Sequence, residues 1–309
     1  MIGLGWLLLA FSWVSPVWAA EIWTAEIPGS SGGSSVELRA DPSPRQLLRD
    51  GVAAFQAEDY QLAVERFTAA IAAEPDLAAY SNRCLAQIYL NAYEQAIADC
   101  TAALEFSSRE PESLLNRGLA YYRLGEFSNA IADYNALLQL KPHDFRAYYN
   151  RGLAQAELQA YREALVDYGE AMRQISPLDH STLAEVHNDR GLAQLQLEHW
   201  PQAIADFTQA IQFNNSSLRA YYNRGCAYHH QGNLTASLND FSQVLQLDPN
   251  HAQSYLSRGL VQQQLGHQQD ALSDLQQAAR YFQRQGAVVA YQQTLNLIER
   301  LRGTGVAIG

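Results

Sequence analysis

Basic residues are in short supply in this chain: 21 Lys and Arg stand against 32 Asp and Glu over 309 residues, a formal net charge of -11. No basic stripe interrupts that balance, so a nucleic-acid backbone or an anionic lipid surface is repelled, and neither is an expected partner. Cysteine is scarcer still. Cys84, Cys100 and Cys226 are too few and too scattered for a disulfide framework or a zinc site. Catalytic signatures are also missing, with no phosphate-binding loop and no His-Glu-x-x-His string. The stretch Gly29-Ser30-Ser31-Gly32-Gly33 has nucleophile-elbow spacing, but no strand precedes it. His229 and His230 are adjacent, hence on different faces of a helix, which argues against a shared metal. No enzyme activity, no cofactor and no metal site are therefore expected. The 48% hydrophobic and 17% charged content is enough apolar material for a packed core and excludes wholesale disorder.

The amino terminus differs in kind from the rest. No charged residue occurs from Ile2 to Ala20, and the apolar run Trp6 to Phe11 is followed by Pro16 and the small-x-small string Val17-Trp18-Ala19. Residues 1–20 read as an export signal, with an uncleaved membrane anchor as the second reading. The chain is accordingly expected outside the cytoplasm (periplasm, lumen or secreted) or tethered to a membrane through residues 2–20. Trp6, Trp13, Trp18 and Trp23 suit a membrane interface. Residues 21–43, with their Gly/Ser run, read as a flexible linker.

Aligned on itself, the chain shows a 34-residue period. Small residues recur at Gly51, Cys84, Gly118, Gly152, Gly191, Gly225 and Gly259. Twelve residues after each comes a second small residue, at Ala63, Ala96, Ala130, Ala164, Ala203, Ser237 and Ala271. Four further on stands a larger apolar one: Phe67, Cys100, Tyr134, Tyr168, Phe207, Phe241 or Leu275. Two helices per period are implied: the first small residue lets their backbones approach, and the larger side chain fills the remaining gap. Pro75, Pro142 and Pro249 end second helices; Ser108 and Asn215 stand where two periods lack proline.

These positions resemble the tetratricopeptide repeat (TPR) family, in seven copies covering residues 44–76, 77–110, 111–144, 145–178, 184–217, 218–251 and 252–285. The sub-pattern Asn116-Arg117-Gly118 followed by Ala130 to Tyr134 recurs closely. The resemblance implies an all-α, right-handed superhelical solenoid of seven helix-turn-helix units. The extra residues around Ser176 to Leu183 read as a longer loop between repeats. Residues 286–302 carry Val288, Tyr291, Leu295, Ile298 and Leu301 at helical spacing and read as a capping helix, with a disordered tail at 303–309. Cys84 and Cys100 fall on facing helices of repeat two, where buried free thiols are the favoured reading over an oxidised pair.

A charge pair also recurs, sixteen residues apart: Arg83 and Asp99, Arg117 and Asp133, Arg151 and Asp167, Arg190 and Asp206, Arg224 and Asp240, Arg258 and Asp274. Repeat one holds the same pair with its charges exchanged, Asp50 and Arg66. Attraction survives the exchange only if each pair forms within its own repeat, so seven bridges from first helix to second are expected.

The resemblance further implies a concave groove lined by first helices that holds a protein or peptide partner. The register puts Asn82, Asn116, Asn150 and Asn223 there, with Leu115, Tyr122, Arg146, Tyr149, Leu153, Arg219, Tyr222 and His229 around them. Asparagines one repeat apart can donate to and accept from an extended backbone, and tyrosines add rigid contact area. The alternative is that each Asn bridges neighbouring helices structurally. The family's carboxylate clamp needs Lys and Asn at places where this chain has Leu115 and Leu119, Tyr149 and Leu153, or Tyr222 and Cys226. A protein-interaction scaffold is the expected function, with a membrane-anchored assembly factor for a larger complex as the alternative.

Overall fold

The computed structural model describes residues 42–305. The expected signal or anchor at 1–20, nearly all of the linker and residues 306–309 of the expected tail lie outside the described residues, while Gly303 to Gly305, expected in a disordered tail, continue the last helix. Among the described residues there are fifteen α-helices and no strand, and no helix is long and apolar enough to cross a membrane.

The chain divides into two compact units at Gln174/Ile175. The first holds four helix pairs: α1 (Pro44–Gln56) with α2 (Tyr60–Ala73), α3 (Leu77–Tyr89) with α4 (Tyr93–Phe106), α5 (Pro111–Arg123) with α6 (Phe127–Leu140), and α7 (Phe145–Glu157) with α8 (Tyr161–Gln174). The second holds three pairs and a last helix: α9 (His180–Gln196) with α10 (Trp200–Phe213), α11 (Leu218–Gln231) with α12 (Leu234–Leu247), α13 (Ala252–Gln264) with α14 (Gln268–Arg284), and α15 (Val288–Gly305) packed on α14.

Local chemistry sets the boundaries. Every first helix starts at a residue whose side chain accepts from its orphan N–H groups: Ser43, Asp76, Glu110, Asp144, Asp179, Ser217 and His251. Each pair then turns through one residue with positive φ, seven positions after the small one: Glu58, Asn91, Gly125, Gln159, Glu198, Gly232 and Gly266. Glycine meets that demand at three of the seven. At Glu58, Gln159 and Glu198 a side chain is held at φ of 60° or 61°, at a cost of about 1–2 kcal/mol that the packed pair must offset. The residues read as a longer loop at 176–183 are divided instead. Asp179 caps α9, and residues 180–183 form its first turn, making α9 17 residues long where the other first helices of that unit have 13 or 14.

Within five of the pairs, the edge of an aromatic ring on the second helix packs against the glycine of the first. A Cβ added to Gly118 would sit 2.7 Å from Tyr134 Cε1, at Gly152 2.8 Å from Tyr168, and at Gly191 2.7 Å from Phe207. The second small residue is sealed in all seven repeats, Ala63, Ala96, Ala130, Ala164, Ala203, Ser237 and Ala271 each being fully buried. Ser237 is accommodated because its hydroxyl donates to the Gly225 carbonyl at 2.8 Å. The last helix closes the second unit by burying Ile298 and Leu301 against Leu275, Ala279 and Phe282.

Repeat two departs from this pattern. Cys84 and Cys100 occupy the glycine and ring positions, and they form a disulfide with Cα atoms 5.5 Å apart. The expectation of free thiols is corrected here: two small side chains facing each other across a helix pair at this separation stand within bonding reach. Cys226 remains a free, buried thiol, which burial pushes up to about 12.

Gly118→Ala forces the Tyr134 ring out of its seat and should cost about 1–3 kcal/mol of stability by urea unfolding. Gly169→Ala, where an added Cβ meets nothing within 4 Å, should instead gain up to about 1 kcal/mol from helix propensity.

Candidate partner-binding face

First helices of neighbouring repeats also touch one another, α1 with α3, α3 with α5 and α5 with α7 in the first unit, and α9 with α11 in the second. That second contact decides which of the expected groove residues a partner could reach. Asn82, Asn116 and Asn150 are at most 1% exposed, and Leu115, Tyr149 and Leu153 are buried with them. Asn223 is buried too, and its Nδ2 donates to Asn188 Oδ1 of α9 at 3.1 Å. The asparagine row is therefore an interior feature, and its placement on an open groove is corrected. The cause is angular: two residues before the small position is roughly 200° round the helix from it, a direction the neighbouring first helix fills. Of the expected residues, Tyr122, Arg146, Arg219, Tyr222 and His229 remain half-buried and reachable.

In the first unit Arg146 is committed internally. Its Nη2 lies 2.7 Å from Asp144 Oδ2, its Nη1 3.1 Å from Glu112 Oε2 of the preceding repeat, and Lys141 Nζ approaches Glu112 at 2.9 Å. Burial disfavours the Arg146 charge, but the Asp144 and Glu112 carboxylates outweigh it and hold the guanidinium above its ordinary value. Asp144 is likewise held low by Arg146 against the upward pull of burial.

The second unit carries a less balanced cluster. Arg219 Nη2 pairs with the buried Asp189 Oδ1 at 2.8 Å. One turn earlier on α9, Glu185 Oε2 is buried with no hydrogen-bond partner. Burial and the Asp189 charge push the Glu185 carboxyl up to about 7, Arg219 opposing them only in part. His229 Nε2 lies 3.2 Å from Gln264 Oε1 of the next repeat, while its Nδ1 is buried and unpaired. Burial lowers the His229 pKa, and in the neutral tautomer whose Nε2–H donates to Gln264, Nδ1 is an acceptor. Tyr222 OH sits 3.2 Å from Ser257 Oγ, and the His230 ring stacks on Trp200 at 4.8 Å. Glu185 and Asp189 escaped the sequence reading, although the register shows both: Asp189 stands in the asparagine column, and Glu185 in the column of Glu112, Arg146 and Arg219.

The recurring ion pairs form within their repeats in six of seven cases. Each arginine grips its aspartate with two bonds, Nε to Oδ2 and Nη2 to Oδ1, all between 2.6 and 2.9 Å. In five of these arginines Nη1 makes a third bond, to the second helix of the preceding repeat: Arg83 to Thr68, Arg117 to Thr101, Arg151 to Asn135, Arg224 to Thr208 and Arg258 to Ser242. Asp206 gathers Gln194 Nε2 at 3.0 Å and His187 Nδ1 at 2.9 Å in addition to Arg190. The exchanged pair of repeat one is the exception and corrects the expectation of seven bridges. No ion pair joins Asp50 and Arg66; Asp50 accepts from Gln46 Nε2 at 2.7 Å and Arg66 is exposed. An aspartate on the first helix lacks the reach that an arginine has from the same place, and a solvated guanidinium gains only about 0–1 kcal/mol by pairing.

Asp133→Asn, which leaves the half-buried Arg117 without its counter-charge, should cost about 3–5 kcal/mol; Arg66→Ala should stay within about 0.5 kcal/mol of the parent, both by urea titration. For Glu185 the folded-state pKa lies above the unfolded value, so its ionised form is penalised only in the native state. Its contribution is fully present below pH 4.5 and lost as pH rises through about 7. Thermal melts of Glu185→Gln should therefore run above the parent at pH 8, and the gap should close by pH 4.5.

Sequence models described as Tetratricopeptide repeat match residues 48–111, 115–180 and 218–251, and one described as TPR repeat matches 191–232, together more than half of the chain. Among curated proteins, a DnaJ homolog subfamily C member 7 homolog from Dictyostelium discoideum is 37% identical over 76 residues, which is 23% of this chain and 14% of that protein. The chain thus spans only a small fraction of that relative's length. Among solved structures, a tetratricopeptide repeat protein from Parabacteroides merdae superposes with a TM-score of 0.62 at 21% identity, covering 82% of this chain and 98% of that one. YrrB, described as a TPR protein with an unusual peptide-binding site, gives a TM-score of 0.51 at 22% identity over 59% of this chain and 91% of its own. Both are likenesses of fold. Repeats of this kind generally serve as non-enzymatic protein-interaction scaffolds. With seven helix pairs in sequence and structure, five of them joined by a ring on a glycine, and family matches over most of them, the chain belongs to the tetratricopeptide repeat family.

Proposed function

We propose that this chain is a scaffold that holds a segment of a partner protein along the first-helix face of its second unit, and that it performs no chemistry on that partner. The observation that carries the reading is the pair of acceptors left without donors there. Glu185 Oε2 and His229 Nδ1 are buried from solvent and unpaired; Glu185 lies within the field of Arg219, and His229 stands two turns along α11 from Tyr222. A buried acceptor with no donor costs about 1–3 kcal/mol, and a segment that brings N–H groups removes that cost on binding. The guest is accordingly donor-rich, an extended backbone with lysine or arginine side chains, which the net charge of -11 also attracts. Tyr222 supplies a rigid surface beside them at little entropic cost.

We also assign the chain to an oxidising compartment outside the cytoplasm. The charge-free stretch Ile2 to Ala20 and the Cys84–Cys100 disulfide support this. Loss of residues 1–20 in the intact mass of the chain isolated from its source is the expected outcome; a full-length mass favours the anchored reading.

Peptide libraries screened on the immobilised full chain should return binders enriched in Lys and Arg. Glu185→Gln and His229→Ala, each checked by circular dichroism, should weaken those binders about tenfold or more, equivalent to about 1.4 kcal/mol. Binders indifferent to both substitutions would place the partner elsewhere.

A further inference from the structure

Repeat two is built from the same two helices as its neighbours, yet it lacks the contact that joins them elsewhere. Five of the other six repeats set an aromatic ring on a glycine, and repeat seven sets Leu275 against Gly259. Repeat two offers Cys84 and Cys100, both fully buried among Ile88, Ala96, Leu119 and Ala120. Two thiols fill less space than a ring, and unlinked they leave this interface underpacked. Repeat two also lacks a side-chain cap on α4, as α6, α10 and α14 do, and has Ser107 and Ser108 where Pro75 and Pro142 close repeats one and three, so little else compensates for the missing ring. α3 in turn touches both α1 and α5, so its placement conditions the first-helix face of the whole first unit.

We propose that repeat two is a redox-gated repeat, in which the Cys84–Cys100 disulfide takes over the joining role of the glycine–ring contact and α3–α4 is held firmly only once the two thiols are oxidised. The reaction is thiol–disulfide exchange. Cys84 and Cys100 give up two protons and two electrons as one S–S bond forms, and the disulfide of a protein or small-molecule exchange partner breaks, taking up both to become two thiols. Both sulfurs are inaccessible in the folded pair, so the bond forms while the hairpin is open, before repeat two packs. Once closed, it is shielded: a reductant reaches it only when α3 and α4 separate. The cross-link spans the helix pair and restricts its open ensemble as well as its packed state. The inference does not depend on which partner the second unit binds, since it concerns the first unit alone.

The test uses the full chain in three forms: the parent, Cys84→Ser/Cys100→Ser, and Cys84→Gly/Cys100→Phe, the last restoring the contact that the neighbouring repeats use. Each is unfolded and refolded with and without a phosphine reductant, thiols are counted by alkylation under denaturing conditions, and hydrogen exchange is followed by mass spectrometry. The oxidised parent should show no alkylatable thiol at Cys84 or Cys100. In reductant, amides of α3 and α4 in the parent should exchange at least about tenfold faster than in the oxidised form, with α5–α8 changing less. The double serine form should behave like the reduced parent in both conditions. The glycine–phenylalanine form should keep its protection with and without reductant. Equal protection of α3–α4 in the oxidised and reduced parent would overturn the proposal, as would a glycine–phenylalanine form no better protected than the double serine one. A parent that fails to refold in reductant while the glycine–phenylalanine form folds there would support it.

Discussion

One close approach organises this molecule: in five of the seven repeats a ring on the second helix rests on the bare backbone of a glycine on the first. With less than 3 Å between the site of a hypothetical Cβ and the ring edge at Gly51, Gly118, Gly152, Gly191 and Gly225, no other residue type fits without displacing the ring. That distance fixes how near the two helices lie. It thereby decides that the second small residue is fully sealed, that the turn must close through one left-handed residue, and that an arginine one position before the glycine reaches an aspartate one position before the ring. The disulfide of repeat two is the same constraint met by a covalent bond.

The ion pairs follow from this spacing and add a different kind of information. Packing of apolar surface tolerates small slides, whereas a guanidinium held by two bonds to one carboxylate does not. In five repeats the third bond, to a hydroxyl or amide of the preceding repeat, extends that registry from the pair to its neighbour. Repeat one has no preceding repeat within the described residues, and its charges are reversed and unpaired. Its arginine stands in solvent, where registry is not at stake.

Tight stacking also decides where polar groups can act. The asparagine row is buried, and Asn223 bonds Asn188 of the neighbouring first helix. The proposed partner face is the less regular set, Glu185, Arg219, Tyr222 and His229, where neighbouring repeats carry different residues and the Glu185 and His229 acceptors stay unpaired. Regularity builds the scaffold, and the proposed recognition face lies where the repeats depart from it. Glu185 illustrates the exchange, since the burial and nearby Asp189 that raise its pKa toward neutrality are unfavourable for the fold alone, and the proposed cationic guest would relieve them.

Periodicity in the sequence was sufficient to determine the all-helical class, the seven repeats, the helix pairing, the final capping helix and the six intra-repeat ion pairs, because each of these depends on side chains one helix pair apart. It also showed which repeats were irregular. Only the tertiary structure decided that the asparagines face inward, that Asp50 and Arg66 stay apart, that residues 180–183 join α9, that Cys84 and Cys100 are bonded, and that Glu185 and His229 are left with unpaired acceptors. Each of those outcomes turns on reach and on what a neighbouring helix covers, distances in space that a repeat along the chain does not encode.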